Sequence, residues 1–209
     1  FCPQAGLYKY MFDEDLTSLY PSIIMSLNIG KETLMARIVD ADDRNNRLGL
    51  NDLKTRDVDE ELLIENPDRK QTYIKVGKLI KLIEDNNFAI SANGVIFRTD
   101  KRSVLATILD KWFDERVKYK GYMKKAYKSG DAVKGEFYNR RQHAYKIKLN
   151  DVYGCYAING WRYTDGHKII SKAITLTGQR LLQESIKNMN VYINKYLNVN
   201  DKDFIVTSD

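Results

Sequence analysis

The sequence predicts an α+β fold, a strand-containing body interrupted by one helical excursion. Two observations carry this reading. Two long helical patterns stand back to back across Ser129-Gly130-Asp131, and short apolar strand patterns lie before and after them. Taken in order, residues 7–15 (LYKYMFDED) alternate loosely and end in acids, so they read as a strand finishing in a carboxylate. Pro21 then opens SIIMSLN, because proline suits the first turn of a helix. Residues 35–75 read as polar and irregular, with weak signals and a charged patch at 54–61. The segment 75–87 places Val76, Leu79, Ile80 and Ile83 at helical spacing. Residues 88–97 (FAISANGVIF) read as two short strands around Asn93-Gly94, a strong hairpin signal.

The first long helix is predicted from about Ser103 to Lys128, with Leu105, Ile108, Leu109, Trp112 and Phe113 as its apolar stripe. The second runs from about Ala132 to Val152, and together they make an antiparallel, strongly basic pair. After Gly154, residues 155–164 read as a strand or hairpin. A third helix spans about 168–189, with Ile170, Ile174, Leu181, Ile186 and Met189 on its buried side. Phe204-Ile205-Val206 is a last strand, ending at Thr207-Ser208-Asp209.

Composition narrows the function classes. The 209 residues are 43% apolar and 30% charged, an ordinary globular balance with room for one good-sized core. Three prolines and no low-complexity run argue against long linkers. No stretch approaches the ~18 apolar residues of a membrane span. The start, Phe1 to Gly6, lacks an initiator Met and the regions of a signal peptide, so it reads as an excised or partial chain from an intracellular, not secreted, protein. Cys2 and Cys155 form neither a metal pattern nor a disulfide scaffold, which suits a reducing compartment. The net charge is +6, yet residues 101–148 hold 14 Lys/Arg against five Asp/Glu, leaving the remainder slightly acidic. Such a segment is either a solvated helical face or a surface for a polyanion.

Two constellations carry chemistry. In Asp15-Leu16-Thr17-Ser18-Leu19-Tyr20-Pro21-Ser22-Ile23-Ile24, an acid at a strand end is followed by a turn into a helix. The acid suits a hard divalent cation, and the backbone N–H groups opening the helix suit an anion. A magnesium triphosphate would use both, with Tyr20 beside its sugar; a plain strand–turn–helix with a core tyrosine is the competing reading. In the helix pair, Arg116 and Lys120 are four apart and share a face. Gln142, Lys146, Asn150 and Tyr153 fall within about 80° of one another on the second helix. Arg and Lys suit phosphate oxygens, and a flat ring suits a base pair. Solvated faces explain any one lysine, but the assembled set less well.

The ten residues from Asp15 to Ile24 resemble motif A of family B DNA polymerases. Lys146-Ile147-Lys148-Leu149-Asn150-Asp151-Val152-Tyr153-Gly154 resembles motif B, with Asp151 where the family usually has Ser. Asp203 to Asp209 resembles the approach to motif C, with Thr207-Ser208 replacing the usual Tyr-Gly and Asp209 as the first acid of D-T-D-S. Asn93 to Arg98 and Asp114 to Met123 are similar to the lead-in and fingers of polymerases from large tailed phages.

This resemblance implies an antiparallel-sheet palm in two parts, residues 1–100 and 154–209, and a helical-hairpin fingers subdomain at 101–153. It implies template-directed addition of dNTPs to a primer 3′-hydroxyl with two Mg2+ ions, bound through Asp15, the Leu16 carbonyl and Asp209. Ser18 and Leu19 would touch the triphosphate through their backbone, and Tyr20 would block a ribose 2′-hydroxyl. Arg116, Lys120 and Lys146 would neutralise the triphosphate, Lys146 would also protonate pyrophosphate, and Asn150 and Tyr153 would pack against the nucleotide. The expected partners are primer–template DNA, dNTP and the exonuclease and thumb of the same polymerase, in the cytoplasm of an infected host cell if the source is viral. The second acid of motif C is absent from the sequence, so the chain alone is expected to be inactive. The alternatives are a catalytically incomplete DNA- or dNTP-binding fragment and a basic helical module for nucleic acid or an acidic partner.

Overall fold

The computed structural model describes residues 16–41, 48–158 and 168–198. The strands expected at 7–15 and 204–206, and residues 159–164 of the expected hairpin, lie outside these.

The described residues form an α+β fold. Helix α1 (Leu19–Ser26) is followed by strand β1 (Leu34–Ile38), a short helix α2 (Leu50–Leu53), and strands β2 (Glu61–Glu65) and β3 (Gln71–Lys75). Helix α3 (Val76–Asp85) leads to strands β4 (Ala89–Ile90) and β5 (Val95–Phe97). Three long helices follow: α4 (Val104–Lys128), α5 (Ala132–Ala157) and α6 (Ile169–Leu197). The strands make one antiparallel sheet in the order β3-β2-β1-β5-β4.

Strand β5 shows how the core is divided. All three of its residues are buried, and successive side chains must point to opposite faces. Val95 and Phe97 join a cluster with Ile23, Ile24, Leu109, Leu149, Tyr156 and Ile170, which come from α1, α4, α5 and α6. Ile96 joins the other cluster, with Ile38, Leu53, Leu62, Leu79 and Ile83 from β1, α2, β2 and α3. The sheet therefore carries helices on both faces, the long ones on one side. Burying each such aliphatic side chain contributes about 2 kcal/mol.

Several expectations hold. The 75–87 periodicity becomes α3, and the Asn93-Gly94 turn joins β4 to β5 with Ala89 opposite Phe97 and Ile90 opposite Ile96. The Ser129-Gly130-Asp131 break separates α4 from α5, whose Asp131 side chain caps the second helix by accepting from Lys134 N–H at 3.0 Å. Helix α1 begins two residues before Pro21. Proline is still in the first turn, where its missing N–H would have had no partner within the helix.

Three expectations are corrected. Residues 35–75 are not irregular: they contain most of β1, all of β2 and β3, and α2. Their strands were obscured because β3 is an edge strand whose residues are nearly all exposed, so it lacks an apolar pattern. The segment after Gly154 continues α5 to Ala157 instead of starting a strand. Tyr156 is fully buried and its hydroxyl donates to the Ile29 carbonyl at 2.9 Å, so tertiary contact secures the extra turn. Helix α6 runs on to Leu197, and Leu181, expected inside, is exposed. Its buried residues all fall between Ile169 and Gly178, because only the first turns lie on the body.

The base of the long hairpin is fastened mainly at the turn after α1. Asn28, buried and at φ 54°, donates to the carbonyls of Arg98 (2.7 Å) and Lys101 (2.8 Å) and accepts from Ser103 N–H (2.8 Å). Ser103, the N-cap of α4, donates its hydroxyl to Ile29 O at 3.0 Å, the same carbonyl that Tyr156 reaches. A Cβ on Gly30 would come within 2.5 Å of that Ser103 hydroxyl, so the close approach requires glycine. Replacing Asn28 by Ala removes three hydrogen bonds, one buried and two partly buried, and places alanine at positive φ. The expected loss is about 3 kcal/mol, read as a lower urea midpoint in equilibrium unfolding. An unchanged midpoint would show that the turn does not carry the hairpin.

Candidate active site at the start of helix α1

The start of α1 is an open helix N-terminus. Ser18 occupies the N-cap in the left-handed region (φ 54°, ψ 51°), and its side chain makes no capping hydrogen bond. The first closed helical bond is Ser22 N–H to Ser18 O at 2.9 Å. The N–H groups of Leu19 and Tyr20 therefore have no partner within the helix, and Pro21 has no N–H to offer. They sit at the positive end of the helix dipole, where an anion is stabilised.

Arg116 comes to this end from α4. It is only 9% exposed, and its Nη1 donates to the Ser18 hydroxyl at 2.6 Å. Its Nε is buried without a hydrogen-bond partner, and among the described residues no carboxylate pairs with it. A buried guanidinium satisfied by one neutral hydroxyl is an incomplete arrangement, since a desolvated charge is favourable only when paired. An anion with several oxygens would suit such a guanidinium.

Tyr20 and Tyr153 form the adjoining wall. Their ring centroids are 4.7 Å apart at 30°. Burial pushes the Tyr153 phenol above its ordinary pKa, and nearby Tyr20 adds to the effect, so Tyr153 is neutral at physiological pH. Leu19 packs against the main apolar cluster, which fixes the direction in which Tyr20 leaves the helix. Leu149 and Val152 are buried in that cluster, and this orientation of α5 leaves Lys146, Asn150 and Asp151 exposed.

The structure thus brings together Ser18, Leu19, Tyr20, Arg116 and Tyr153 from segments far apart in sequence. Lys120 is partly buried, and neither it nor Lys146 forms an ion pair among the described residues. No described contact joins Lys120, Lys146 or Asn150 to the start of α1. Leu16 is 36% exposed just before α1. Asp15 and Asp209 lie outside the described residues, and among those described no group of three or more His, Cys, Asp or Glu could hold a metal. The donor set expected for Mg2+, two carboxylates and a carbonyl, has the right hard-oxygen chemistry.

Two residues escaped the sequence reading. The hydroxyl of Ser18 is the partner of Arg116, whereas only its backbone was expected to act. Gly178 on α6 lies against Leu19 and Tyr20. A separation of 98 residues leaves no local spacing signal for the Ser18–Arg116 pair.

Residues 1–205 match the family described as DNA polymerase family B. The chain is 32% identical over 146 residues to the DNA polymerase of Orf virus (strain NZ2), covering 70% of this chain and 13% of that protein. It is 23% identical over 257 aligned positions to the DNA-directed DNA polymerase of Escherichia phage RB69, covering 99% of this chain and 25% of the relative. The corresponding enzyme of Enterobacteria phage T4 is 22% identical over 257 aligned positions, covering 100% of this chain and 25% of the relative. The chain spans a quarter or less of the length of these relatives. The match over nearly its whole length, on a fold that gathers the two motif regions at one helix end, establishes that this chain belongs to DNA polymerase family B.

Proposed function

We propose that the chain forms the palm and the fingers hairpin of a template-directed DNA polymerase, and that the start of α1 with Arg116 binds the triphosphate of the incoming dNTP. The observation that carries this is the buried Arg116 guanidinium, which among the described residues is held by one neutral hydroxyl, beside two N–H groups that have no partner within the helix. A triphosphate oxygen would accept from the Leu19 and Tyr20 N–H groups, and the guanidinium would gain a charged partner. Lys120 and Lys146, on the two hairpin helices, supply further positive charge as the hairpin closes on the nucleotide. Lys146 is also suited to hand a proton to the leaving pyrophosphate. Asn150 and Tyr153 would pack against the nucleotide, with Tyr20 filling the space a ribose 2′-hydroxyl needs. Asp151, in place of the usual serine, is exposed and turned to solvent on α5, which fits tuning of the site without its loss.

Mg2+ ions held by Asp15, the Leu16 carbonyl and Asp209 would stabilise the attacking and leaving oxygens when bound. The primer–template would lie along the same side of the molecule as the basic hairpin. Exonuclease and thumb regions would belong to the complete enzyme, and the viral and phage relatives favour replication in an infected cell. No described helix is long and apolar enough to cross a membrane.

Three substitutions in the complete enzyme test this reading. Arg116→Ala raises the KM for dNTP about a hundredfold and leaves primer–template affinity nearly unchanged. An unaltered dNTP dependence in steady-state extension would remove Arg116 from the triphosphate site. Tyr20→Ala raises ribonucleotide use relative to dNTP use by about a hundredfold in paired kcat/KM measurements; an unchanged ratio counts against the sugar gate. Asp15→Asn lowers primer extension by about a thousandfold or more, as expected when a ligand of the charge-stabilising ions is lost. Normal extension by that variant refutes the metal assignment.

A further inference from the structure

The ring of Tyr20 has a second neighbour that neither motif contains. Helix α6 crosses α1 at Gly178, which is buried. A Cβ built there would lie 3.3 Å from Ile23 Cδ1, 3.5 Å from Leu19 Cδ2 and 3.5 Å from Tyr20 Cε1. The space behind the ring therefore admits at most one methyl group, and that methyl would already press on Ile23. Tyr153 packs against the same ring from α5, tilted by 30°. Yet Tyr20 is 37% exposed, so among the described residues its ring is free to move outward, toward the space assigned above to the nucleotide sugar.

We propose that Gly178 is a positioning residue for Tyr20: by having no side chain, it lets α6 back the ring at the depth that leaves room for a deoxyribose and none for a ribose. This rests on the reading of Tyr20 as the sugar gate and adds what sets the gate's position. Protein interiors are close-packed, so a branched side chain at 178 cannot be absorbed locally. Leu19 and Ile23 are anchored in the main cluster, whereas the half-exposed ring is the neighbour able to move. A side chain larger than methyl would drive it outward and narrow the sugar space for every nucleotide.

The test uses the complete enzyme with Gly178→Val, Gly178→Ala, Tyr20→Ala and the double variant Gly178→Val/Tyr20→Ala. Single-nucleotide extension with dNTP and rNTP gives kcat and KM, and thermal unfolding checks that each variant is folded. Gly178→Val is expected to raise the dNTP KM about tenfold, the scale of one misplaced methyl-sized group in a pocket, with a much smaller change in kcat. In the Tyr20→Ala background the same substitution should cost less than twofold, because the ring that transmits the push is gone. A structural defect in α6 would persist in the double variant, so an undiminished KM effect there overturns the proposal. So does an unchanged dNTP KM in folded Gly178→Val. Should Gly178→Val not fold, Gly178→Ala decides by the same comparison: a KM rise of about twofold that Tyr20→Ala removes supports the proposal, and no rise overturns it. A Tyr20→Ala enzyme with unaltered sugar discrimination overturns the gate reading itself, and with it the role of Gly178. Relaxed discrimination in Tyr20→Ala beside an indifferent Gly178→Val overturns the positioning role alone.

Discussion

Everything at the site depends on the turn that ends α1. Asn28, Ile29 and Gly30 receive the start of α4 through Ser103 and the end of α5 through Tyr156. Glu32, just beyond, accepts from Val104 N–H at 2.7 Å, so the first turn of α4 has a second anchor there. A pair of helices, each roughly 38 Å long, is thereby tied to three consecutive residues. These bonds are mostly buried, where unmade hydrogen bonds are costly, and this gives the turn its authority over the hairpin.

The same helix that ends in this turn begins at the site. Eight residues of α1 span about 12 Å, and Ile23 and Ile24 bury its middle in the main cluster. The open N–H groups at its start therefore cannot shift without moving the hairpin base at its end. Arg116 lies about three turns along α4 from Ser103, so its reach to Ser18 follows from the rigidity of two helices that share one anchor. Tyr153 reaches Tyr20 by the same logic from α5, one turn before Tyr156 is fastened. Motif-like segments far apart in sequence thus meet because their helices leave a common point.

Much of this was legible in the chain. Alternation and 3.6-residue spacing announced α3, α4, α5 and the β4–β5 turn, since each is long or carries a strong turn signal. Strand β3 gave no signal because an exposed edge strand has no apolar face to display, and β2, interior to the sheet, has one buried residue, Leu62. Their turn did leave a trace in Asn66-Pro67-Asp68: the Asn66 side chain accepts from Lys70 N–H at 2.9 Å, the expected behaviour of a turn asparagine. The extension of α5 past Gly154 was illegible for another reason, because the contact that stabilises it lies 127 residues away at Ile29. At the start of α1, helical faces singled out Arg116 and Tyr153, and the structure brings them to Ser18 and Tyr20. The Ser18 hydroxyl and Gly178 are tertiary facts, with no periodicity to announce them.

The strengths of these contacts also order how the parts can move. The hairpin base is held by several buried hydrogen bonds, whereas its link to the site among the described residues is one side-chain hydrogen bond, Arg116 to Ser18, and the Tyr153–Tyr20 ring contact. A bond of that kind, with a charged donor, contributes about 1.5–3 kcal/mol net, and it is one bond where the root has several. A hairpin so built reorganises at its site before its root, because the root costs more to release.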